Sequence, residues 1–402
     1  MLVQLTLKNF KIFKDETLLD CIPGPINEHK TSLIKDTADK EQFLPIIAVY
    51  GPNGGGKSTV LYGLEYLAAL ITAPGNSTPT SKNLFHRLSP DCAGQPSEFD
   101  VLFRHKGFLF RYQLHLLNGA INEETLFYGR LGTDDAGILF NRKESDIHLG
   151  KTVTFAPIHQ PFTDRSLLSL LARSSKTESI LAAYSWFEEI QILPSSSTQI
   201  QSGLTKGTLE RISLDTQDDI RKICSHLQAM DLDITNFRFP DESSTAASMK
   251  ASSKTLLLTH SPANSPSYEL SYDEESEGTK KLLSALPVIL HSLEHGSLVV
   301  ADDLDSLLHP HVLRYIVSLY ANHEINPHGS QLIFSSHNTA ILAPAILRRD
   351  EIWLCSRSDA GDAQLYPLSW YKKENGLIPR NDEAYGKQYL EGRYGASPKI
   401  CI

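Results

Sequence analysis

The run Gly51-Pro-Asn-Gly-Gly-Gly-Lys-Ser58 limits what this chain can become more than any other feature. It fits G-x-x-x-x-G-K-S, and its flanks complete the pattern. The apolar run 43–50 leads into it, and an apolar helical stretch, 59–71, leaves it. Glycines let a backbone bend closely round a ligand, so that several N–H groups point one way. The helix that follows offers the positive end of its dipole. A strand, loop and helix in this order form an anion cradle. In such a cradle Lys57 reaches the β- and γ-phosphates of a nucleotide, and Ser58 gives its hydroxyl to Mg2+. Asn53, Gly54, Gly56 and Thr59 are the other residues expected around the phosphates.

A second apolar run, 297–301, ends in Asp302 and Asp303. A strand buried on both faces delivers its terminal acids to the edge of a parallel sheet, where ligands bind. Asp302 is expected to hold Mg2+, directly or through water, and Asp303 to polarise an attacking water. Alone, a hydrophobic strand ending in two acids is commonplace; the glycine loop gives it meaning. Lys57 and Asp302 lie 245 residues apart (302 − 57), far more than a compact GTPase core needs.

The chain divides into three stretches. The first, 1–158, is rich in strand signals: Val3, Leu5 and Leu7 alternate with polar residues, and 98–104 and 108–117 read as a hairpin across His105-Lys106-Gly107. Asn118-Gly119 marks a further tight turn. The second, 159–260, is mainly helical in pattern (167–171, 180–192, 220–230) and reads as an insertion emerging from the rest. It holds a low-complexity serine-rich loop at 241–253. The third, 261–402, returns to alternating strands and helices. Its apolar runs 297–301 and 331–335 read as buried strands, and 281–293 as a helix. The net charge of −9 argues against a uniformly basic nucleic-acid binder, though not against a local basic groove. The five cysteines are scattered without a C-x-x-C pair, which disfavours a zinc site or a disulfide framework. No apolar run approaches the roughly 18 residues of a membrane span. The expectation is a soluble, cytoplasmic protein with no membrane partner.

Five features occur in order: Asn9-Phe10-Lys11 on the first strand, the glycine loop, Ser276-Glu-Gly278, the acidic strand and Ser336-His337. Together they resemble the ABC-type head of SMC-like ATPases. More narrowly, the blocks 275–281, 304–310, 331–338, 347–353 and 392–396 resemble the RloA/AbiL-type family of AAA-like ATP/GTP-binding proteins. The resemblance covers about 1–130 and 265–400. It implies an α/β fold, an ABC-type P-loop head with a β-rich N-terminal lobe and a parallel-sheet core. It also implies ATP and Mg2+ as ligands, and a nucleotide sandwiched between two copies, in a homodimer or higher homo-oligomer. In such a sandwich Ser276 and Gly278 touch the γ-phosphate from the opposite copy. Asp305 lies in the loop that couples the two sites, and His337 contacts the γ-phosphate. Each residue also has a plainer reading. Ser276 could cap a helix, Asp305 could be a loop acid, and His337 a strand-end histidine. Lys11 matches a basic residue such heads place near the nucleotide, but reads more readily as a solvated strand charge. The glutamine that usually reaches Mg2+ has no clear counterpart; Gln95 and Gln113 are candidates.

The chain departs from the pattern at one position. Such heads commonly end the acidic strand in Asp-Glu, and here Asp303 replaces the glutamate. Its carboxylate is one methylene shorter, and misplacement on that scale costs about a hundredfold in rate. Slow hydrolysis and a long-lived ATP-bound dimer are expected. The resemblance further implies a role in bacterial defence, with a separate effector (a Toprim-like, RloB-type nuclease) and a phage-derived trigger. The alternatives are a repair ATPase clamping DNA, for which Lys280-Lys281 and Arg348-Arg349 are the basic pairs to examine, a transporter subunit, and a scaffold that binds ATP without hydrolysing it.

Overall fold

The computed structural model describes residues 1–72, 84–154, 165–193, 216–238, 256–358, 361–373 and 376–398. The serine-rich loop 241–253 lies outside the described residues. The N-terminal part runs β1 (Leu2–Lys8), β2 (Thr17–Asp20), β3 (Ile34–Lys35), β4 (Gln42–Phe43), β5 (Ile46–Tyr50) and α1 (Lys57–Thr72). Strands β6 (Ser97–His105), β7 (Phe108–Leu117), β8 (Ala120–Arg130), β9 (Ala136–Lys143) and β10 (Asp146–Leu149) follow. The middle holds α2 (Leu167–Ser174), α3 (Glu178–Glu188), β11 (Gln191–Leu193), α4 (Gln217–Ala229), β12 (Ile234–Arg238), β13 (Leu257–His260) and β14 (Tyr268–Ser271). The last part runs α5 (Glu277–His295), β15 (Leu298–Ala301), α6 (Pro310–Ala321), β16 (Gln331–Ser335), β17 (Ile352–Arg357), β18 (Ala363–Pro367) and α7 (Tyr385–Leu390).

Two large sheets organise these elements. One is antiparallel, in the order β10-β9-β8-β7-β6-β1-β2; the other, β11-β15-β16-β5-β17-β18, is parallel except for its edge strand β18. The antiparallel sheet follows from period-2 patterning. Phe99, Val101 and Phe103 on β6 face inward with Phe110, Tyr112 and Leu114 on β7. The hairpin turns need a left-handed backbone, which Lys106-Gly107 and Asn118-Gly119 adopt (φ 47 and 79, 54 and 82). Each strand of the parallel sheet divides its side chains between two cores. Ile47, Val49, Leu298, Val300 and Ile333 enter the core shared with the antiparallel sheet, while Ala48, Val299, Ala301, Leu332 and Phe334 enter the core under α4–α7. Gln331 joins the two sheets: its side-chain oxygen accepts from the Leu2 N–H at 2.6 Å, and its amide donates to the carbonyls of Leu2 and Leu44.

The sequence led us to expect an insertion emerging from the head, but its described part is woven into the two cores. Helices α2 and α3 bury Leu167, Leu168, Leu171, Trp186 and Phe187 beside α1 and the antiparallel sheet, and Trp186 stacks on Phe103 at 4.1 Å. The buried carboxylate of Glu124 fastens the start of α2 to that sheet. It accepts from Tyr112 Oη, Ser166 Oγ and the N–H groups of Leu167 and Leu168. Ile192, read as the end of a helix, lies instead on β11, which extends the parallel sheet beside β15.

Candidate active site

The parallel register puts the carboxyl ends of β15, β16 and β5 at one edge, with β16 between the other two (Ala301 beside Phe334, Ser335 beside Val49). Here β5 gives way to the glycine loop and α1 begins at Lys57. Gly51 has no alternative at its position, because a Cβ there would lie 2.5 Å from the Cys355 carbonyl oxygen on β17. Gly54 and Gly56 have φ of 71 and 110. Lys57 folds back over the loop, donating to the carbonyls of Gly51 and Pro52 at 3.0 and 3.2 Å. Burial pulls its pKa below the ordinary lysine value; attraction to Asp303, Cys355, Asp302 and Asp305 opposes this without cancelling it. Asn53, Gly54 and Ser58 are exposed and Thr59 is half-buried.

Ser58 and Asp302, 244 residues apart in sequence, meet through a hydrogen bond from Ser58 Oγ to Asp302 Oδ1 of 3.1 Å. Ser335 at the end of β16 completes the group. Its hydroxyl donates to Asp302 Oδ1 at 2.5 Å and accepts the Asp303 N–H at 2.8 Å. Asp303 is half-exposed, sits at φ 47, and has Oδ1 3.8 Å from His337 Nε2. Aspartate tolerates the left-handed region better than glutamate, which gives the departure from Asp-Glu a local backbone reason. Asp305 turns back toward β16, and its carboxylate accepts the His337 N–H at 3.2 and 3.3 Å.

Ser276 caps α5, accepting the Thr279 N–H at 3.1 Å and sharing a hydrogen bond with the Thr279 hydroxyl. Gly278 lies against the loop after Asp303, where a Cβ would stand 2.8 Å from the Leu307 carbonyl oxygen. Lys281 fixes the same contact from below, donating to the carbonyls of Asp303 and Ser306 and to the Ser306 hydroxyl at 2.8, 3.0 and 2.7 Å. Burial brings its pKa down to about 8, against the pull of Asp305, Asp303 and Asp302. The start of α5, the 303–307 loop and the strand-end acids are therefore joined by direct contacts.

Asn9–Lys11 is not on β1, which ends at Lys8. Asn9 and Lys11 take positive φ in a tight turn, and Lys11 lies over the Tyr62 ring, 5.4 Å from its centre. There it lines a cleft of about 510 Å³ with Ser58, Thr59, Glu65 and Asp302. Gln113 is spent on Asp100 in the antiparallel sheet, and the Gln95 carbonyl takes the Asn9 amide; neither joins the strand-end group. The basic pairs are also engaged internally. Lys280 meets Glu277, Lys281 the 303–306 loop, and Arg348 and Arg349 meet Asp350 and Glu28. Ser335 was missed in the sequence, and Lys281 was read there only as half of a basic pair. The only trace of Ser335 was its place in the Ser-Ser-His run.

A glycine loop on β5, paired acids on β15 and a serine-histidine end on β16, beneath a β-rich lobe, give the chain the fold of an ABC-type P-loop head. The fold agrees with a solved head. The SMC head bound to the C-winged helix domain of ScpA superposes with a TM-score of 0.53 at 15% identity, over 92% of this chain and 98% of that one. An SMC head from Thermotoga maritima (TM-score 0.43, 16% identity, 91% and 98% covered) is also similar. So is an SMC head with an extended coiled coil bound to the C-terminal domain of ScpA derived from Pyrococcus furiosus (0.44, 12%, 91% and 96%). No curated protein matches the chain. Residues 46–197 and 243–343 match the family described as "AAA domain, putative AbiEii toxin, Type IV TA system", and the chain belongs to it. Among the described residues no helix is long and apolar enough to cross a membrane.

Proposed function

We propose that the chain binds Mg-ATP on the glycine loop, shares each nucleotide between two copies and hydrolyses it slowly, so that the ATP-bound dimer controls a separate toxic effector. The observation that carries this reading is the meeting of Ser58 and Asp302 beside Lys57 at one sheet edge. The donors there are a hydroxyl and a carboxylate, hard oxygen ligands of the kind Mg2+ prefers, so the residues fit the ion. Ser58 and Asp302 would hold it; when bound it neutralises charge on the phosphate oxygens. Lys57 and the N–H groups of Gly54, Gly56 and Thr59 take the phosphates, with Asn53 at the loop's exposed tip. Asp303 orients the attacking water, and its neighbour His337 faces the γ-phosphate. Ser276 and Gly278 meet the partner copy's nucleotide, and Asp305 ties that contact to His337.

The finer assignment is to the RloA/AbiL-type proteins of phage defence, with a Toprim-like, RloB-type nuclease as effector and a phage-derived signal as trigger. It rests on the sequence blocks given above and agrees with a family description that names a toxin–antitoxin system. Slow turnover, below about 1 s⁻¹, suits a sensor that waits in its ATP-bound form. The DNA-clamping alternative draws no support from the basic pairs, whose charges are met within the chain. A tagged chain expressed with its neighbouring genes tests the proposal. It should retain an effector and reduce phage plating, and Lys57→Ala should lose the protection. A chain that retains no effector and protects no cells refutes the defence role.

A further inference from the structure

Strand β13 ends at His260, a side chain only 8% exposed. Its Nδ1 lies 2.7 Å from Asp233 Oδ1 and its Nε2 2.6 Å from Glu275 Oε1. Ionised carboxylates only accept hydrogen bonds, and a neutral imidazole donates from one nitrogen alone. Two carboxylate oxygens facing the two nitrogens are therefore satisfied together only by the doubly protonated ring. The Tyr268 ring of β14 stacks on the imidazole at 5.1 Å with an interplanar angle of 8°. Burial works against the charge, but the hydrogen bonds and attraction from Asp233 and Glu275 outweigh it, so the ring keeps its proton above the ordinary 6.5. Asp233 comes from the turn between α4 and β12, and Glu275 from the residue before the α5 cap. Among the described residues, these and the Tyr268 ring are the titratable groups that face it.

The position of Glu275 gives the clamp its meaning. It immediately precedes Ser276, and Gly278 follows in the first turn of α5, against the 303–307 loop. We propose that His260, as an imidazolium, is a positioning residue for the Ser276–Gly278 turn, holding it in the form that meets the second copy's nucleotide. The inference rests on the composite-site reading above. With the ring protonated, the β12-β13-β14 sheet and the α5 N-terminus form one unit. Once the proton leaves, one carboxylate faces a bare lone pair, the clamp between Asp233 and Glu275 is broken, and association must order the turn again. A histidine whose folded pKa is raised contributes fully below 6.5, and its contribution is lost as pH rises through the folded value.

The test uses the full chain. NMR titration of the histidine ring signals, with His260 assigned through His260→Gln, should give a midpoint above 6.5, and Glu275→Gln should lower it. Sedimentation with Mg2+ and a non-hydrolysable ATP analogue should show association weakening severalfold as pH rises from 6.5 to 9. His260→Gln should associate weakly at every pH, with binding of a fluorescent ATP analogue to the single chain unchanged. If His260→Gln loses that binding through misfolding, Glu275→Gln decides, since it should shift the loss of association to lower pH. A His260 midpoint at or below 6.5, or a pH profile that neither substitution changes, overturns the proposal. A wild-type chain that never associates, although His260 titrates above 6.5, overturns the composite site itself and the role of His260 with it.

Discussion

Ser335→Ala removes a hydroxyl that touches both strand-end acids. The residue is fully buried, and its Oγ is the acceptor for the Asp303 N–H and a donor to Asp302. Leaving a buried N–H without a partner costs about 1–3 kcal/mol, and a lost hydrogen bond to a charged group about 1.5–3 kcal/mol before solvent replaces it. Because Asp302 is half-exposed, water recovers part of the second term, and a net loss of about 2–3 kcal/mol is expected. The effect on chemistry should exceed the effect on folding. Asp302 loses its restraint on one side and the backbone at Asp303 is no longer pinned. Shifts of about 1 Å at reacting groups cost up to a hundredfold. Urea unfolding gives the first quantity, and steady-state ATPase against Mg2+ concentration gives the second. The control is Ser336→Ala. That hydroxyl is equally buried but accepts from the Asn338 N–H. It should lose stability while keeping the wild-type Mg2+ dependence. If Ser335→Ala and Ser336→Ala give the same Mg2+ dependence and turnover, Ser335 is not part of the site, and the reasoning fails.

Two further outcomes follow from local geometry. Asp303→Asn should fold and bind ATP as the wild type does, since asparagine tolerates φ 47, but should lose turnover; Asp303→Glu should cost about 1 kcal/mol in urea unfolding through backbone strain. Equal stability of the two variants would contradict the backbone account of why aspartate stands here. Glu351 is fully buried and accepts the Arg348 N–H at 2.8 Å; burial pushes its pKa up to about 8 from an ordinary 4.5. Between those values the folded chain holds a proton that the unfolded chain has released, so this carboxyl makes stability fall as pH rises. Glu351→Gln should flatten the slope of urea midpoint between pH 5 and 8, and an unchanged slope would place the titration elsewhere.

What the sequence made legible was local. The glycine loop declares itself because only glycine fits at Gly51, β15 because a strand buried on both faces reads as an unbroken apolar run, and β16 from its shorter apolar centre at 332–334. The hairpins of β6–β8 were legible from the glycine in each turn. Asn9–Lys11 misled because its two left-handed residues carry side chains, so no glycine marked the end of β1. Ile192 misled because a three-residue strand is too short to show a period. The leucines of α2 reveal which face is buried but not against what, and it took the Glu124 carboxylate to place the helix within the head. Ser335 and Lys281 depend on strand order and on a helix packing across a loop. Neither arrangement leaves a pattern in neighbouring residues.

The central claim is that two copies share the nucleotide, and sedimentation equilibrium with and without Mg-ATP tests it most directly. The wild-type chain should pass from monomer to dimer as Mg-ATP is added. Lys57→Ala should remain monomeric because it binds no nucleotide. Ser276→Arg should bind one ATP per chain and still remain monomeric. A wild-type chain that stays monomeric at saturating Mg-ATP, or a Ser276→Arg chain that dimerises as the wild type does, would contradict the account.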